Sequence, residues 1–203
     1  MSNPLQTIHV VDDDEAMRDS MTWLLEGEGY AVACYDSADS FLAAHSERMH
    51  GCIVLDVRMP QMSGLELHEK LDALGSQLPI IFVTGHGDVP MAVSALKKGA
   101  VDFIEKPFSD KDMLRLIEQC LELDRNNREK QQKAVGVKRR LANLTEREVE
   151  VMDLILAGKL NKQIADVLNI SIKTVEVHRG RIMDKMAART VAELVQAVMR
   201  GRQ

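Results

Sequence analysis

Cys52-Ile53-Val54-Leu55-Asp56-Val57-Arg58-Met59-Pro60 is the stretch on which the fold turns. Four apolar residues without polar alternation run into an acid, the pattern of a strand buried on both faces whose carboxyl end opens on a site. Three more runs repeat it. Ile8-His9-Val10-Val11 ends on Asp12 and Asp13, Pro79-Ile80-Ile81-Phe82-Val83 on Thr84, and Val101-Asp102-Phe103-Ile104-Glu105 on Lys106. Strands are expected at 7–11, 31–35, 51–56, 79–84 and 101–105, with helices between and after them at about 14–27, 37–45, 64–75, 88–98 and 110–126.

Right-handed crossovers join such a series into an α/β doubly wound, flavodoxin-like parallel sheet, in which ligands bind outside the carboxyl ends of the strands. All five polar residues that end the runs would lie there. The chain has 203 residues, 45% of them hydrophobic, enough for two small packed domains. No segment approaches the ~20 apolar residues of a membrane span, and the chain does not open on a signal peptide, so a soluble, cytoplasmic protein without a membrane partner is expected. Cys34, Cys52 and Cys120 have no CxxC spacing, which points to reduced thiols rather than a disulfide or zinc framework. The net charge of -5 divides unevenly. Residues 1–124 hold 9 Lys+Arg against 22 Asp+Glu (9 − 22 = −13), and residues 125–203 hold 17 against 9 (17 − 9 = +8). An acidic module suits a divalent cation, and a small basic one suits a polyanion.

Carboxylates approach a phosphoryl group only where a cation neutralises them, and Mg2+ supplies one through oxygen ligands and its own waters. Asp13 and Asp56 are expected as direct ligands, Asp12 through a metal-bound water, and Arg58 through its main-chain carbonyl. Asp56 is then the nucleophile, its carboxylate becoming an aspartyl phosphate. Lys106 pairs with the phosphate oxygens and Thr84 donates its hydroxyl to one. His86 has no paired base or ligand spacing and is assigned to loop packing. Cys52 and Met59 belong to the core.

Val10-Val11-Asp12-Asp13-Asp14, Leu55-Asp56-Val57-Arg58-Met59-Pro60 followed by Ser63-Gly64, Thr84-Gly85-His86 and Lys106-Pro107-Phe108 resemble the receiver domain of bacterial two-component response regulators, over roughly residues 5–125. The resemblance implies a sensor histidine kinase as phosphodonor, a cis peptide before Pro107, and Phe103 as an aromatic switch that turns inward when Thr84 moves to the phosphate. The strings from Thr84 to Val93 and from Gly99 to Phe108 are most similar to the FixJ subfamily. There, phosphorylation remodels the fourth helix and fifth strand, here within 88–105, into a homodimer face.

Residues 125–140 lose the apolar rhythm and are expected to continue the preceding helix into a fraying linker, separating a receiver at 1–124 from a helical module at 141–203. Thr145-Glu146-Arg147-Glu148 is a capping box opening a helix that ends near Gly158. Further helices follow at about 161–167, from Ser171 to about Met186, and at 191–200. Helix count alone leaves a DNA-binding and a protein-binding module equally open. At ~100° per residue, Val175, Ile182 and Met186 face a core, while Lys173, Val177, Gly180 and Asp184 lie opposite. In a helix-turn-helix that second face enters the major groove. Val177 would meet a thymine methyl, Lys173 a guanine edge or a phosphate, and Gly180 allows close approach. Lys162, Arg179 and Arg181 would hold phosphates.

Leu144-Thr145-Glu146-Arg147-Glu148, Asn161-Lys162-Gln163-Ile164-Ala165 and Thr174-Val175-Glu176-Val177-His178-Arg179 resemble the LuxR-type DNA-binding domain of the NarL and FixJ families, which adds Thr174 to the candidate contacts. Glu176 and Gly180 stand where some NarL-type relatives carry lysines, so base preference does not transfer. A phosphorylation-activated transcriptional regulator is expected. Its partners would be double-stranded promoter DNA, RNA polymerase and a second copy of itself once phosphorylated, with activation as the usual output. Two alternatives are weaker. An aspartyl phosphatase or dehalogenase resembles Asp-x-Asp at the nucleophile, where this chain has Asp56-Val57-Arg58, so a turnover enzyme is not expected. A phosphorylation-independent interaction module does not need the full set of acids, Thr84 and Lys106.

Overall fold

The computed structural model describes residues 6–85 and 101–201, apart from the side chain of Arg200. The helix expected at 88–98, the residues 88–100 of the expected dimer face, and His86 lie outside the described residues. The chain divides into two compact units, Met1–Arg128 and Glu129–Gln203.

Five parallel strands form the sheet of the first unit: β1 (Thr7–Val11), β2 (Ala31–Tyr35), β3 (Gly51–Asp56), β4 (Ile80–Thr84) and β5 (Asp102–Glu105). Their order is β2-β1-β3-β4-β5, so direction along the sheet reverses between β1 and β3. That is the flavodoxin-like doubly wound order, with its crevice at the switch point. The absence of alternation in β3 has a direct cause. Ile53 and Leu55 face a cluster with Phe41 of α2 (Ala38–Ala44) and Leu67 and Leu71 of α3 (Gly64–Ala73). Cys52 and Val54 face the other cluster, with Met21 and Leu25 of α1 (Glu15–Gly27) and Met113, Ile117 and Leu121 of α4 (Asp110–Ala142). Each such side chain contributes roughly 1.5–3 kcal/mol by leaving water, so both faces require apolar residues.

Local signals start the helices. Asp14 caps α1 by accepting from the Ala16 amide at 2.9 Å, and Ser63 with Glu66, like Ser37 with Ser40, forms a capping box.

α4 continues without a break to Ala142, where the sequence suggested fraying. Lys, Arg, Gln, Glu and Ala make up most of its second half despite Gly136, Lys133 and Glu129 pair at i,i+4, and the buried Val137 with Leu141 gives its last turns a hydrophobic core to join. That core belongs to the second unit. It is completed by α5 (Glu146–Leu156), α6 (Asn161–Leu168), α7 (Ile172–Met186) and α8 (Val191–Gly201), around Val151, Met152, Ile164, Val175, Ile182 and Leu194. Asn169, left-handed at φ 53, ends α6, and Ser171 opens α7 by accepting from the Thr174 amide at 3.0 Å. These residues form the turn of a helix-turn-helix.

Candidate functional site

Parallel register puts the end residues of β1, β3, β4 and β5 on one edge, where Asp12, Asp56, Thr84 and Lys106 gather. Asp12 and Asp56 are buried, and Lys106 Nζ joins them, donating to Asp12 Oδ2 at 2.9 Å and Asp56 Oδ1 at 2.7 Å. The Lys106 amide donates to the Thr84 carbonyl at 2.8 Å, so the sheet's own ladder aims the lysine. The peptide before Pro107 is cis, as the family resemblance implied. The other Asp56 oxygen accepts from the Arg58 amide at 2.6 Å, and Asp12 Oδ1 from the Asp14 amide at 2.9 Å.

Burial is the largest influence on the Asp56 carboxyl. It pushes the pKa up from its ordinary value, and the Asp12 charge adds to the rise, against the lowering by Lys106 and by the Arg58 amide. For Lys106 burial works toward a lower pKa, but the hydrogen bonds and charges of Asp56 and Asp12 prevail and raise it. The lysine is firmly charged, and one ammonium serves two buried acids.

Asp13 is exposed beside this cluster. Three carboxylates and one ammonium leave a formal charge of 1 − 3 = −2 at the edge. Lys106 joins Asp12 to Asp56 directly, while Asp13, next in the chain, presents its carboxylate to solvent; among the described residues no three His, Cys, Asp or Glu side chains form a ready metal-binding group. The donors at the edge are all oxygens and their charge is unbalanced, which suits a hard divalent ion. Thr84 is fully buried, and its hydroxyl donates to the Gly85 carbonyl at 3.3 Å rather than to an acid. Phe103, in register with Phe82 on β4, is half-buried against the α2/α3 face of the core.

Two contributors escaped the sequence reading. Arg18, one turn into α1, donates to the Asp12 carbonyl at 2.7 Å and fixes the acidic loop from outside. Gly64 passes under the Asp56 loop so closely that a Cβ would stand 2.2 Å from the Asp56 carbonyl oxygen, while its amide donates to the Val57 carbonyl. A Ser-Gly following the acid by seven residues was visible as a motif, but its steric reason was not. Arg18 gave no periodic or capping signal.

In the second unit Val175, Ile182 and Met186 are buried, and Lys173, Val177 and Gly180 are exposed on the opposite side of α7. Val177 is 48% exposed, an apolar side chain held in water on an otherwise polar face. Lys162 and Arg181 are exposed and Arg179 is half-buried. The Thr174 hydroxyl lies 2.8 Å from that of Ser171, within the helix cap. A Cβ at Gly180 would touch nothing within 4 Å, so folding of the unit itself does not require glycine there.

Comparison with known proteins agrees with both units. Residues 8–118 match the response regulator receiver domain, and residues 142–198 match the bacterial regulatory proteins of the luxR family. The chain is 45% identical over 195 residues to the transcriptional regulatory protein TdiR of Thauera aromatica, covering 96% of this chain and 86% of that one. It is 45% identical over 194 residues to the transcriptional regulatory protein FixJ of Bradyrhizobium diazoefficiens, covering 96% and 95%. Among solved structures it is similar to the response regulator StyR (TM-score 0.85, 43% identity, 96% of this chain and 98% of that one). It is also similar to full-length FixJ from B. japonicum (TM-score 0.60, 44% identity, 97% of each). With a receiver sheet carrying buried acids and a lysine at its carboxyl edge, and a LuxR-type helix-turn-helix after it, the chain belongs to the FixJ/NarL family of two-component response regulators, which regulate transcription by phosphorylation.

Proposed function

We propose that Asp56 is the phosphoacceptor through which this regulator is switched, within a receiver at 1–124 joined by a helical segment at 125–140 to a DNA-binding module at 141–203. The observation that supports this most is the Lys106 ammonium shared between Asp12 and Asp56 at 2.9 and 2.7 Å. A buried carboxylate that keeps one oxygen on a lysine and one on a backbone amide is held in a single orientation, ready for in-line attack. One Asp56 oxygen forms a bond to phosphorus as the P–N bond of a phosphohistidine breaks, and the electron pair leaves on the imidazole nitrogen. Lys106 then follows the charge to the phosphoryl oxygens, and the Thr84 hydroxyl turns from the Gly85 carbonyl toward one of them. Asp12, Asp13, Asp56 and the Arg58 carbonyl are the groups to hold Mg2+, which supplies neutralising charge for an anion entering an acidic edge. Asp56 is consumed once per transfer, so the chain accepts a group rather than turning over a substrate.

Movement of Thr84 and Phe103 biases the adjoining strand and the segment from 88 onward toward dimerisation. Two linked modules on a near-palindromic promoter site gain from effective concentration. Lys173, Val177 and Gly180 face the bases, with Lys162, Thr174, Arg179 and Arg181 on the backbone. Raised transcription through RNA polymerase is the expected output, in the cytoplasm where promoter DNA and the kinase's catalytic portion meet.

Incubation with Mg2+ and acetyl phosphate, followed by chemical trapping and peptide mapping, tests the switch. One adduct at Asp56 and donor-dependent dimerisation on size exclusion are expected, and both are lost in Asp56→Asn. An Asp56→Asn protein that still dimerises with donor would sink the switch and favour an interaction module independent of phosphorylation.

A further inference from the structure

The second unit carries positive charge in a place that the helix-turn-helix does not account for. From Glu129 to Ala142, α4 holds Lys130, Lys133, Lys138, Arg139 and Arg140 against the single acid Glu129. Lys133 is paired with that acid at 3.3 Å. Lys138 and Arg139 are exposed and have no acidic partner among the described residues.

The end of α4 also lies against the end of the recognition helix α7. Arg140 Nη1 donates to the Met186 carbonyl at 3.3 Å, and Lys185 Nζ donates to the Asn143 carbonyl at 3.1 Å. The basic turn of α4 is therefore continuous with Arg181, Lys185 and Arg189, which follow one another at intervals of four along and just past the end of α7. Of the acids nearby, Glu148 is buried beneath Lys185 and paired with it at 2.7 Å, while Asp184 and Glu193, whose Oε2 accepts from the Arg189 amide at 2.7 Å, are exposed. Such a concentration of like charge repels itself. Lys138, Arg139 and Arg181, held on helical turns without an acidic partner among the described residues, suit a polyanion whose own charges are regularly spaced.

We propose that Lys138 and Arg139, on the last turns of α4, form a second contact to the DNA backbone, which extends the footprint past the groove read by α7. The contact is with phosphate and carries no base information, because neither residue belongs to the helix that enters the groove. It rests on the LuxR-type unit binding duplex DNA through α7. The partner is the same duplex, flanking the site that α7 occupies.

The test is the salt dependence of full-length protein binding to two 30-bp duplexes (a length chosen to be about three helical turns). One is selected from a random pool by the wild-type protein, and one is of unrelated sequence. Each phosphate neutralised contributes about −0.9 to the slope of log K against log salt. Lys138→Gln/Arg139→Gln is expected to reduce the slope by about 1.8 per bound protomer on both duplexes, with the selected motif unchanged. Lys70→Gln/Lys111→Gln, which removes the same charge from exposed positions of the first unit, is expected to leave the slope at the wild-type value, because charges that make no phosphate contact are screened. Helical circular dichroism and melting of both variants confirm folding.

An unchanged slope in the α4 variant, or an equal drop in the control variant, overturns the second contact. A changed motif overturns its restriction to phosphate. If wild-type protein itself shows no salt-dependent binding to either duplex, the failure lies in the DNA-binding assignment of the unit and not in the contact from α4.

Discussion

Asp124→Asn tests whether the far end of the sheet is held by a buried charge. Asp124 is 1% exposed; its Oδ2 accepts from the Gly51 amide and from Gln6 Nε2, both at 3.0 Å, and its Oδ1 from Arg128 Nε at 2.7 Å. Arg128 also donates from Nη2 to the Met49 carbonyl. The cluster thus ties the start of β3 to the helix that closes the first unit. Gly51 is fixed in place by sterics as well, since at φ +116 a Cβ would meet the Thr7 carbonyl oxygen at 1.9 Å. Asparagine has the same shape but only one accepting oxygen. Turned one way, its NH2 faces Arg128 Nε; turned the other, it faces Gly51 and Gln6. Donor opposes donor in both.

Breaking one side of a buried ion pair costs about 3–5 kcal/mol. Arg128 retains 18% exposure and can recover some hydration, which places the loss near the lower bound, about 3 kcal/mol. At 1.4 kcal/mol per tenfold, the slowest-exchanging amides of β1 and β3 should lose roughly 100-fold in protection. Native-state hydrogen exchange by NMR reads this directly, with amides of α7 in the other unit as internal control. Phosphorylation of the folded fraction at Asp56 should be unchanged, because Asp124 sits at the opposite end of β3. A loss of less than about threefold would show that the three hydrogen bonds contribute no more than their hydrated counterparts, and would refute the buried-charge argument.

Two further outcomes follow from the same kind of geometry. Gly64→Ala should abolish phosphorylation by acetyl phosphate while leaving DNA binding by the second unit in place, since the added methyl displaces the Asp56 carbonyl it would approach to 2.2 Å; equal phosphorylation of the variant refutes the close-approach role. Glu148 is held to a pKa of about 2 by Lys185 and the Thr145 amide, below its ordinary 4.5, so its contribution is complete above pH 4.5 and is lost as pH falls toward 2. Glu148→Gln should therefore destabilise the second unit at neutral pH by on the order of 2 kcal/mol and flatten its acid unfolding in that window, both followed by circular dichroism.

The sequence made some features legible because their cause is local. Strands buried on two faces cannot alternate, so β3 and β4 announced themselves, and the capping box at Thr145 is written in four consecutive residues, as is one at Ser63 that the motif reading passed over. Asp12, Asp56 and Lys106 were readable as a group only because parallel strands bring their carboxyl ends to one edge. What stayed hidden depends on distance in three dimensions. Asp124 and Gly51 are 73 residues apart and each alone is unremarkable. His9 interrupts an apolar strand, yet its ring packs edge-on to Phe41 at 5.9 Å, and burial lowers its pKa, so it serves as a neutral core residue. The helicity of 125–142 was underestimated because two apolar residues in a charged stretch, Val137 and Leu141, look insignificant until a second core is present to receive them.

Thr84 shows how a static site can be poised without being strained. Its hydroxyl is buried with one long bond, 3.3 Å to the neighbouring Gly85 carbonyl, and such a neutral bond contributes about 0.5–1.5 kcal/mol. A bond to a phosphoryl oxygen is charge-assisted and contributes about 1.5–3 kcal/mol. If Asp56 is the phosphoacceptor as proposed, the difference would favour rotation toward it by an amount comparable to the thermal scale times a few, enough to shift a population and small enough to reverse when the phosphate leaves. Phe103, half-buried on the strand beside β4 and packed against the core, is the residue that the proposed switch would move next. The proposed switch would therefore need no stored energy in the resting state, only a weak bond at Thr84 that a stronger one replaces.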